Sequence, residues 1–339
     1  MSVYIIAEAG VNHNGSLERA KELVCIAKKS GCDCVKFQSF SADKIVTKKA
    51  KKAKYQIENT NNDDSQYKML KKLELSKDDF FELKKYCDEL KIDFLSTPFD
   101  EEAVDMLEDL EVDAYKISSG DITNKPLLQY IASKGRKILL STGMSTLEEV
   151  KKAVEWIEEA GNKNIVLFHC TSNYPAPYDS VNMKAMLTLR EKFGYPIGYS
   201  DHTAGIEISL MSVAYGASIV EKHFTYDKKA DGPDHKASLS PKELEDMVKS
   251  IRHIEEAVGE GKKTPTETEL STREVARKSL VWKKTKIPGE IVTREDICCK
   301  RPGNGICPEK LDDIIGLKIT KKCEEDNLVE MEDFEGILT

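Results

Sequence analysis

The chain has 339 residues, 40% of them hydrophobic and 32% charged, with a net charge of -8. That length exceeds the ~100–200 residues of a common domain, so one large domain with a smaller one is expected, and the apolar fraction excludes wholesale disorder. The acidic balance excludes a nucleic-acid binder, whose partner's phosphates require a basic face, but it permits a small anion held by local lysines.

The opening run Ser2-Val-Tyr-Ile-Ile-Ala-Glu8 has no basic start and stops at a carboxylate, so no secretory leader is expected. No run reaches the ~20 apolar residues of a membrane span. Nine cysteines without a C-x-x-C pair indicate buried thiols in a reducing cytoplasm.

The first two strand-like runs are Val3–Glu8 and Cys34–Gln38. A connection from about Ser39 to Ser76 follows that is too long for a βα loop. Its Lys48–Lys54 and Asn59–Asp64 stretches are polar throughout, which suits a lid, a partner contact or a solvated face. Further runs follow at Asp93–Thr97, Ala114–Ser118, Ile138–Thr142, Ile165–Cys170, Ile197–Ser200 and Ser218–Lys222, separated by amphipathic helical segments. Thr146 with Glu149, and Ser240-Pro241 with Glu243, are capping boxes that start two of those helices. Eight strand–helix units predict a (β/α)8 (TIM) barrel over residues 1–258. A doubly wound open sheet is the alternative, but Gly10 and Gly15 do not form its phosphate-loop fingerprint. Residues 259–278 read as a linker, and 279–339 as a small module with turns at Pro288-Gly289 and Pro302-Gly303 and a helix start at Pro308.

A barrel of this type places its chemistry where the strands end, and those ends are polar. In order they carry Glu8 with Asn12 and His13, Lys36 and Gln38, Thr97, Lys116 with Ser118 and Ser119, and Ser141 with Thr142. Cys170 to Tyr174, Ser200 with Asp201 and His202, and Glu221 with Lys222 and His223 complete the rim. Lys36, Lys116, Thr97, Ser119 and Ser141 are candidates for an anion site, because ammonium and hydroxyl donors replace the water around phosphate or carboxylate. His202 and His223, 21 residues apart on neighbouring strands, offer two imidazoles to a divalent cation. Without a suitably placed cysteine, Mn²⁺ or Mg²⁺ fits better than Zn²⁺. Gly232-Pro-Asp234 adds a carboxylate at the same end. Two chemistries fit: metal-assisted joining of a phosphorylated or carboxylated donor to a carbonyl, or an aldolase with Lys36 or Lys116 as Schiff-base nucleophile.

Ordered stretches along nearly the whole chain resemble the sialic acid synthases and their nonulosonic acid relatives. They are Ile6-Ala-Glu-Ala-Gly-Val-Asn-His-Asn-Gly15, Val35-Lys-Phe-Gln38, Ser96-Thr-Pro-Phe-Asp100, Lys116-Ile-Ser-Ser-Gly120, Ser141-Thr-Gly-Met144, His169–Pro175, Tyr199-Ser-Asp-His202, Glu221–Thr225, Gly232–Ser238 and Arg301–Gly305. The resemblance implies a barrel followed by an antifreeze-like (SAF-type) domain, in a domain-swapped homodimer whose small domain caps the partner's site. It implies condensation of phosphoenolpyruvate with N-acetylmannosamine and water to give N-acetylneuraminate and phosphate. A 2,4-diacetamido-trideoxy-mannose acceptor, giving a legionaminate, is the alternative. By the same resemblance, Lys36, Thr97, Lys116, Ser119, Ser141 and Ser200 hold phosphoenolpyruvate and His202 and His223 hold Mn²⁺. Glu8 acts as acid or base, Tyr174 and Asp234 contact the amino sugar, and Arg301 reaches its N-acetyl group from the second subunit. Some members have Asn where this chain has Ser172, so Ser172 and Asn173 take no role. A non-enzymatic glycan- or ice-binding role for the C-terminal module is disfavoured by the charged Lys300–Gly305 turn.

Overall fold

The computed structural model describes residues 2–60 and 64–335, so residues 61–63 of the polar insertion and 336–339 of the C-terminal module lie outside the described residues. The chain separates into two compact units, 1–259 and 260–339.

The first unit carries eight parallel strands: β1 (Tyr4–Gly10), β2 (Cys34–Ser39), β3 (Asp93–Pro98), β4 (Ala114–Ile117), β5 (Lys137–Ser141), β6 (Ile165–Cys170), β7 (Ile197–Asp201) and β8 (Ile219–His223). Their lateral order is β3-β2-β1-β8-β7-β6-β5-β4, and β3 and β4 lie side by side. That is the circular order of a (β/α)8 barrel. Register then sets the height of each strand end. Glu8 stands opposite Lys36 on one side and His223 on the other, Gln38 opposite Thr97, and Ser200 opposite Glu221.

Below those residues the barrel is filled by Ile6, Cys34, Leu95, Leu139, Val166, Phe168 and Ile219. Phe168 occupies the middle because Gly198 makes room for it: a Cβ there would lie 2.7 Å from the ring. Outside, the helices bury apolar residues at helical spacing. Helix Leu147–Glu159 begins at the predicted Thr146/Glu149 capping box and buries Val150, Ala153, Val154 and Ile157. Helix Pro241–Val258 begins at the Ser240/Glu243 box and buries Leu244, Met247, Val248 and Ile251. Each such side chain contributes about 1.5–3 kcal/mol by leaving water, so these faces fix the helices against the sheet.

The long connection after β2 is structured. It holds short helices at Ala42–Ile45, Lys54–Thr60 and Gln66–Lys71, the last capped by the Ser65 hydroxyl. Its polar character ends before this third helix, because Met69, Leu70 and Leu73 pack with Phe40 around Val11 as a small core of their own. The segment is seated closely on the turn after β1. At Gly15, which has φ +73°, a Cβ would lie 2.3 Å from the Lys72 carbonyl oxygen, so only glycine fits.

In the second unit, helix Glu267–Ala276 occupies half of the stretch read as a linker. Strands Ser279–Trp282 and Ile297–Lys300 pair antiparallel over a core of Leu280, Trp282, Val292, Ile297, Ile314, Ile319, Val329 and Phe334. Pro308 opens a turn that continues into Leu311–Ile314. Among the described residues no helix is long and apolar enough to cross a membrane.

Candidate active site

The C-terminal ends of the strands enclose a cavity of about 680 Å³. At its base, two lysines and two glutamates interlock although all four are almost completely buried. Lys36 Nζ lies 2.9 Å from Glu8 Oε2, 3.1 Å from Thr97 Oγ1 and 3.8 Å from Glu221 Oε1. Lys116 Nζ donates to Ser141 Oγ at 2.7 Å and lies 3.2 Å from both Glu221 oxygens. Ser200 Oγ donates to Glu221 Oε1 at 2.9 Å, and Gln38 Nε2 to Glu8 Oε1 at 3.1 Å.

The two carboxyls differ in their surroundings. Burial works against the Glu221 carboxylate, but Lys116 and Lys36 outweigh it and bring its pKa down to about 2. Glu8 shares only one of those lysines; burial dominates there, with Glu221 adding repulsion, and its pKa is raised. Lys116 is pushed down by burial, whereas Lys36 is raised by its two carboxylates despite burial. The pattern gives one carboxyl that stays ionised and one that readily carries a proton, the division of labour acid–base catalysis needs.

Beside Lys116, Ser119 Oγ accepts the Gly143 N–H at 2.9 Å and lies 3.2 Å from Cys170 Sγ. A Cβ on Gly143 would meet Ser172 Oγ at 2.4 Å and Ser119 Oγ at 2.9 Å. Glycine keeps this corner open.

His202 and His223 approach with ring centroids 5.6 Å apart, and Tyr174 lies 4.3 Å from His202 and 5.7 Å from His223. His202 Nδ1 lies 2.8 Å from the Thr171 carbonyl, so it carries the ring proton and leaves Nε2 with a free lone pair facing Ser200 Oγ at 3.4 Å. His223 Nδ1 is buried without a hydrogen-bond partner. Burial pushes His202 down to about 4, and burial with neighbouring His202 and Lys36 pushes His223 well below its ordinary value. Two neutral imidazoles with unused nitrogens fit a divalent cation. Among the described residues no group of three or more His, Cys, Asp or Glu surrounds a common point, so two protein ligands would leave open coordination positions.

Tyr174 and Asp234 also line the cavity, as do Val46, Met69, Leu70 and Leu73 of the inserted segment. Burial, with Glu8 nearby, raises Asp234 to about 7.

The structure therefore brings Glu8, Lys36, Thr97, Lys116, Ser119, Ser141, Tyr174, Ser200, His202, His223 and Asp234 into one cavity. Arg301 belongs to the second unit, where its Nε–H donates to the Ala276 carbonyl at 3.0 Å. Glu221, Gln38 and Cys170 appear at strand ends in the sequence but gain a place only here, because what distinguishes Glu221 is its position between two lysines from other strands. Gly143 falls within the Ser141–Met144 stretch without a role of its own in the sequence, and the apolar lining residues Val46, Met69, Leu70 and Leu73 left no local signal.

A family model described as the NeuB family matches residues 23–263. The chain is 50% identical over 327 residues to the N,N'-diacetyllegionaminic acid synthase of Campylobacter jejuni, covering 96% of this chain and 98% of that one. It is 48% identical over 324 residues to the protein of the same name from Legionella pneumophila, covering 94% and 91%. Among solved structures it is similar to N-acetylneuraminic acid synthetase from Leptospira borgpetersenii, with a TM-score of 0.72 and 35% identity over 80% of this chain and 90% of that one.

Proposed function

Because the chain belongs to the NeuB family of synthases, we propose that this enzyme condenses phosphoenolpyruvate with an N-acetylated amino sugar of mannose configuration and water, releasing phosphate and a nine-carbon acid. The observation that supports this most is the pair of buried lysines, each beside a carboxylate and hydroxyls, directly under two neutral histidines. Lys36, Lys116, Thr97, Ser119, Ser141 and Ser200 hold the donor's phosphate and carboxylate in a water-poor base, where fixed donors act more strongly than in bulk solvent. His202 and His223 would hold Mn²⁺, or Mg²⁺, which would polarise the acceptor's carbonyl when bound. Tyr174 and Asp234 orient the sugar hydroxyls and acetamido group.

The donor's C3 forms the new bond to the sugar's aldehyde carbon, and the aldehyde oxygen takes a proton from Glu8, whose burial favours the protonated form. C2 is left as an oxocarbenium. Water adds there and one of its protons returns to the Glu8 carboxylate; the C2 ketone then forms as the bond from C2 to the phosphate oxygen breaks, and the remaining hydroxyl proton leaves with the phosphate.

Two acceptors fit the chemistry, N-acetylmannosamine and a 2,4-diacetamido-trideoxy-mannose. Apolar Val46, Met69, Leu70 and Leu73, which line the cavity beside Lys44, Gln56 and Gln66 of the same segment, favour the second, whose methyl and extra acetyl groups take apolar neighbours. The names of the two bacterial relatives agree. We read the working assembly as a domain-swapped homodimer in the cytoplasm, with an antifreeze-like second unit placing Arg301 of the partner subunit at the N-acetyl group. Nine free cysteines suit that reducing compartment.

The test supplies phosphoenolpyruvate with each acceptor, follows phosphate, and weighs the product. Phosphate appearing only when both substrates are present, with a nine-carbon product, supports the reading. Covalent capture of Lys36 or Lys116 by borohydride would replace it with an aldolase mechanism.

A further inference from the structure

The turn Asn12-His13-Asn14-Gly15 after β1 has no part in the chemistry proposed above, yet both of its asparagines reach across to the loop after β8. Asn12 Nδ2 donates to the Phe224 carbonyl at 2.7 Å and to Ser238 Oγ at 2.9 Å, and Ser238 Oγ donates to the Asp234 carbonyl at 2.7 Å. Asn14 Nδ2 donates to the Asp231 carbonyl at 2.8 Å, which turns its Oδ1 toward His235 Nε2 at 3.3 Å. An amide oxygen can only accept, so Nε2 carries the hydrogen. His235 Nδ1 is then an acceptor for the Thr225 hydroxyl at 2.6 Å, a shorter contact than the 3.1 Å from that hydroxyl to the Asp227 carbonyl, and Thr225 Oγ1 in turn accepts the Asp227 N–H at 3.1 Å.

Both nitrogens of this fully buried ring are therefore used, one toward Asn14 in the turn after β1 and one toward Thr225 at the start of the β8 loop. The ring also lies directly under Gly232, where a Cβ would come within 2.6 Å of His235 Cδ2. From the other side Asn59 Nδ2 donates to the Pro233 carbonyl at 2.6 Å. The backbone leading into Asp234 is thus pinned at Asp231, Pro233 and Asp234 itself. Among the described residues no side-chain hydrogen bond holds the Asp234 carboxyl, which faces the cavity. Its position is set by the loop.

We propose that His235, as the Nε2–H tautomer bridging Asn14 and Thr225, is a positioning residue for the acceptor half of the site: it fixes the β8 loop so that Asp234 meets the amino sugar at a set depth. This rests on the reading of Asp234 as a sugar contact. Misplacement by about 1 Å can cost on the order of 100-fold, and here the loss falls on the acceptor, because the donor's lysines and hydroxyls sit on other strands.

The experiment measures phosphate release by wild type, His235→Leu, His235→Gln and Asn14→Ala, varying each substrate in turn, with thermal melts alongside. His235→Leu is expected to raise the acceptor KM by roughly ten-fold or more while the phosphoenolpyruvate KM stays within about two-fold. His235→Gln keeps an N–H for Asn14 and is expected to recover most of that loss, whereas Asn14→Ala shows the acceptor effect even if the leucine variant fails to fold. Added to Asp234→Asn, the His235→Leu change should cost little more, because residues acting through one contact are not additive. The proposal is overturned if both KM values move together, if the glutamine variant folds yet behaves like the leucine one, or if the two losses add. A wild type that releases no phosphate with either acceptor would instead defeat the functional reading, and that control precedes the variants.

Discussion

Glu221→Gln tests the charge arrangement at the base of the cavity without touching its shape. The amide keeps the volume and still accepts from Ser200, but Lys116 loses its only carboxylate contact within 4 Å among the described residues, keeping Ser141. Lys36 keeps Glu8 and Thr97. Removing one partner of a buried pair costs about 3–5 kcal/mol, and a unit of this size loses about 2–4 °C per kcal/mol, giving a fall in Tm of roughly 6–20 °C. The lower half of that range is expected, since burial already favours loss of the Lys116 proton. Inorganic phosphate supplies the missing negative charge, so it should bind the variant more tightly and stabilise it more than the wild type at the same concentration, the variant itself gaining about 2.7 kcal/mol at 100 times its Kd. Differential scanning fluorimetry across a phosphate titration measures both effects. Equal Tm values without phosphate and parallel shifts with it would show that Glu221 does not counterbalance the lysines.

Asp234 makes stability depend on pH in the sense opposite to an ion-paired carboxylate. The unfolded chain releases this proton near pH 4 while the folded protein keeps it to about 7, so stability falls as pH rises across that window and is level above it. Asp234→Asn should abolish this contribution and be more stable than wild type at pH 8 than at pH 5, as denaturant melts at the two pH values would show. His202→Ala is expected to remove most Mn²⁺ binding seen by calorimetry and most metal-dependent turnover, with far-UV circular dichroism unchanged; a variant that binds the ion as tightly as wild type would remove His202 from the ligand set.

The barrel was legible because its strands and helices each bury one face, and that burial leaves a period in the sequence, as at Val150, Ala153, Val154 and Ile157. The strand ends were legible for a related reason: a charged residue closing an apolar strand, such as Lys36 or Glu8, has nowhere to go but the barrel mouth. What could not be read were relations between strands. Glu221 and Lys222 are adjacent in sequence, yet Glu221 faces two lysines in the cavity while Lys222 turns the other way to pair with Asp201 at 2.9 Å. The packing of the inserted segment was obscured for another reason. Its lysine-rich start set the expectation, and only the packing of Met69 and Leu73 around Val11 shows that the second half has a core to hold it down.

The aromatic plug formed where Phe168 fills the space left by Gly198 decides the traffic through the enzyme. With the bottom of the barrel filled, the two lysines face the cavity at the strand ends. An anion held at that base would board before a sugar seated above it and disembark after it. Whatever sugar occupies the upper berth is also the stopper that keeps bulk water from the half-formed bond beneath it.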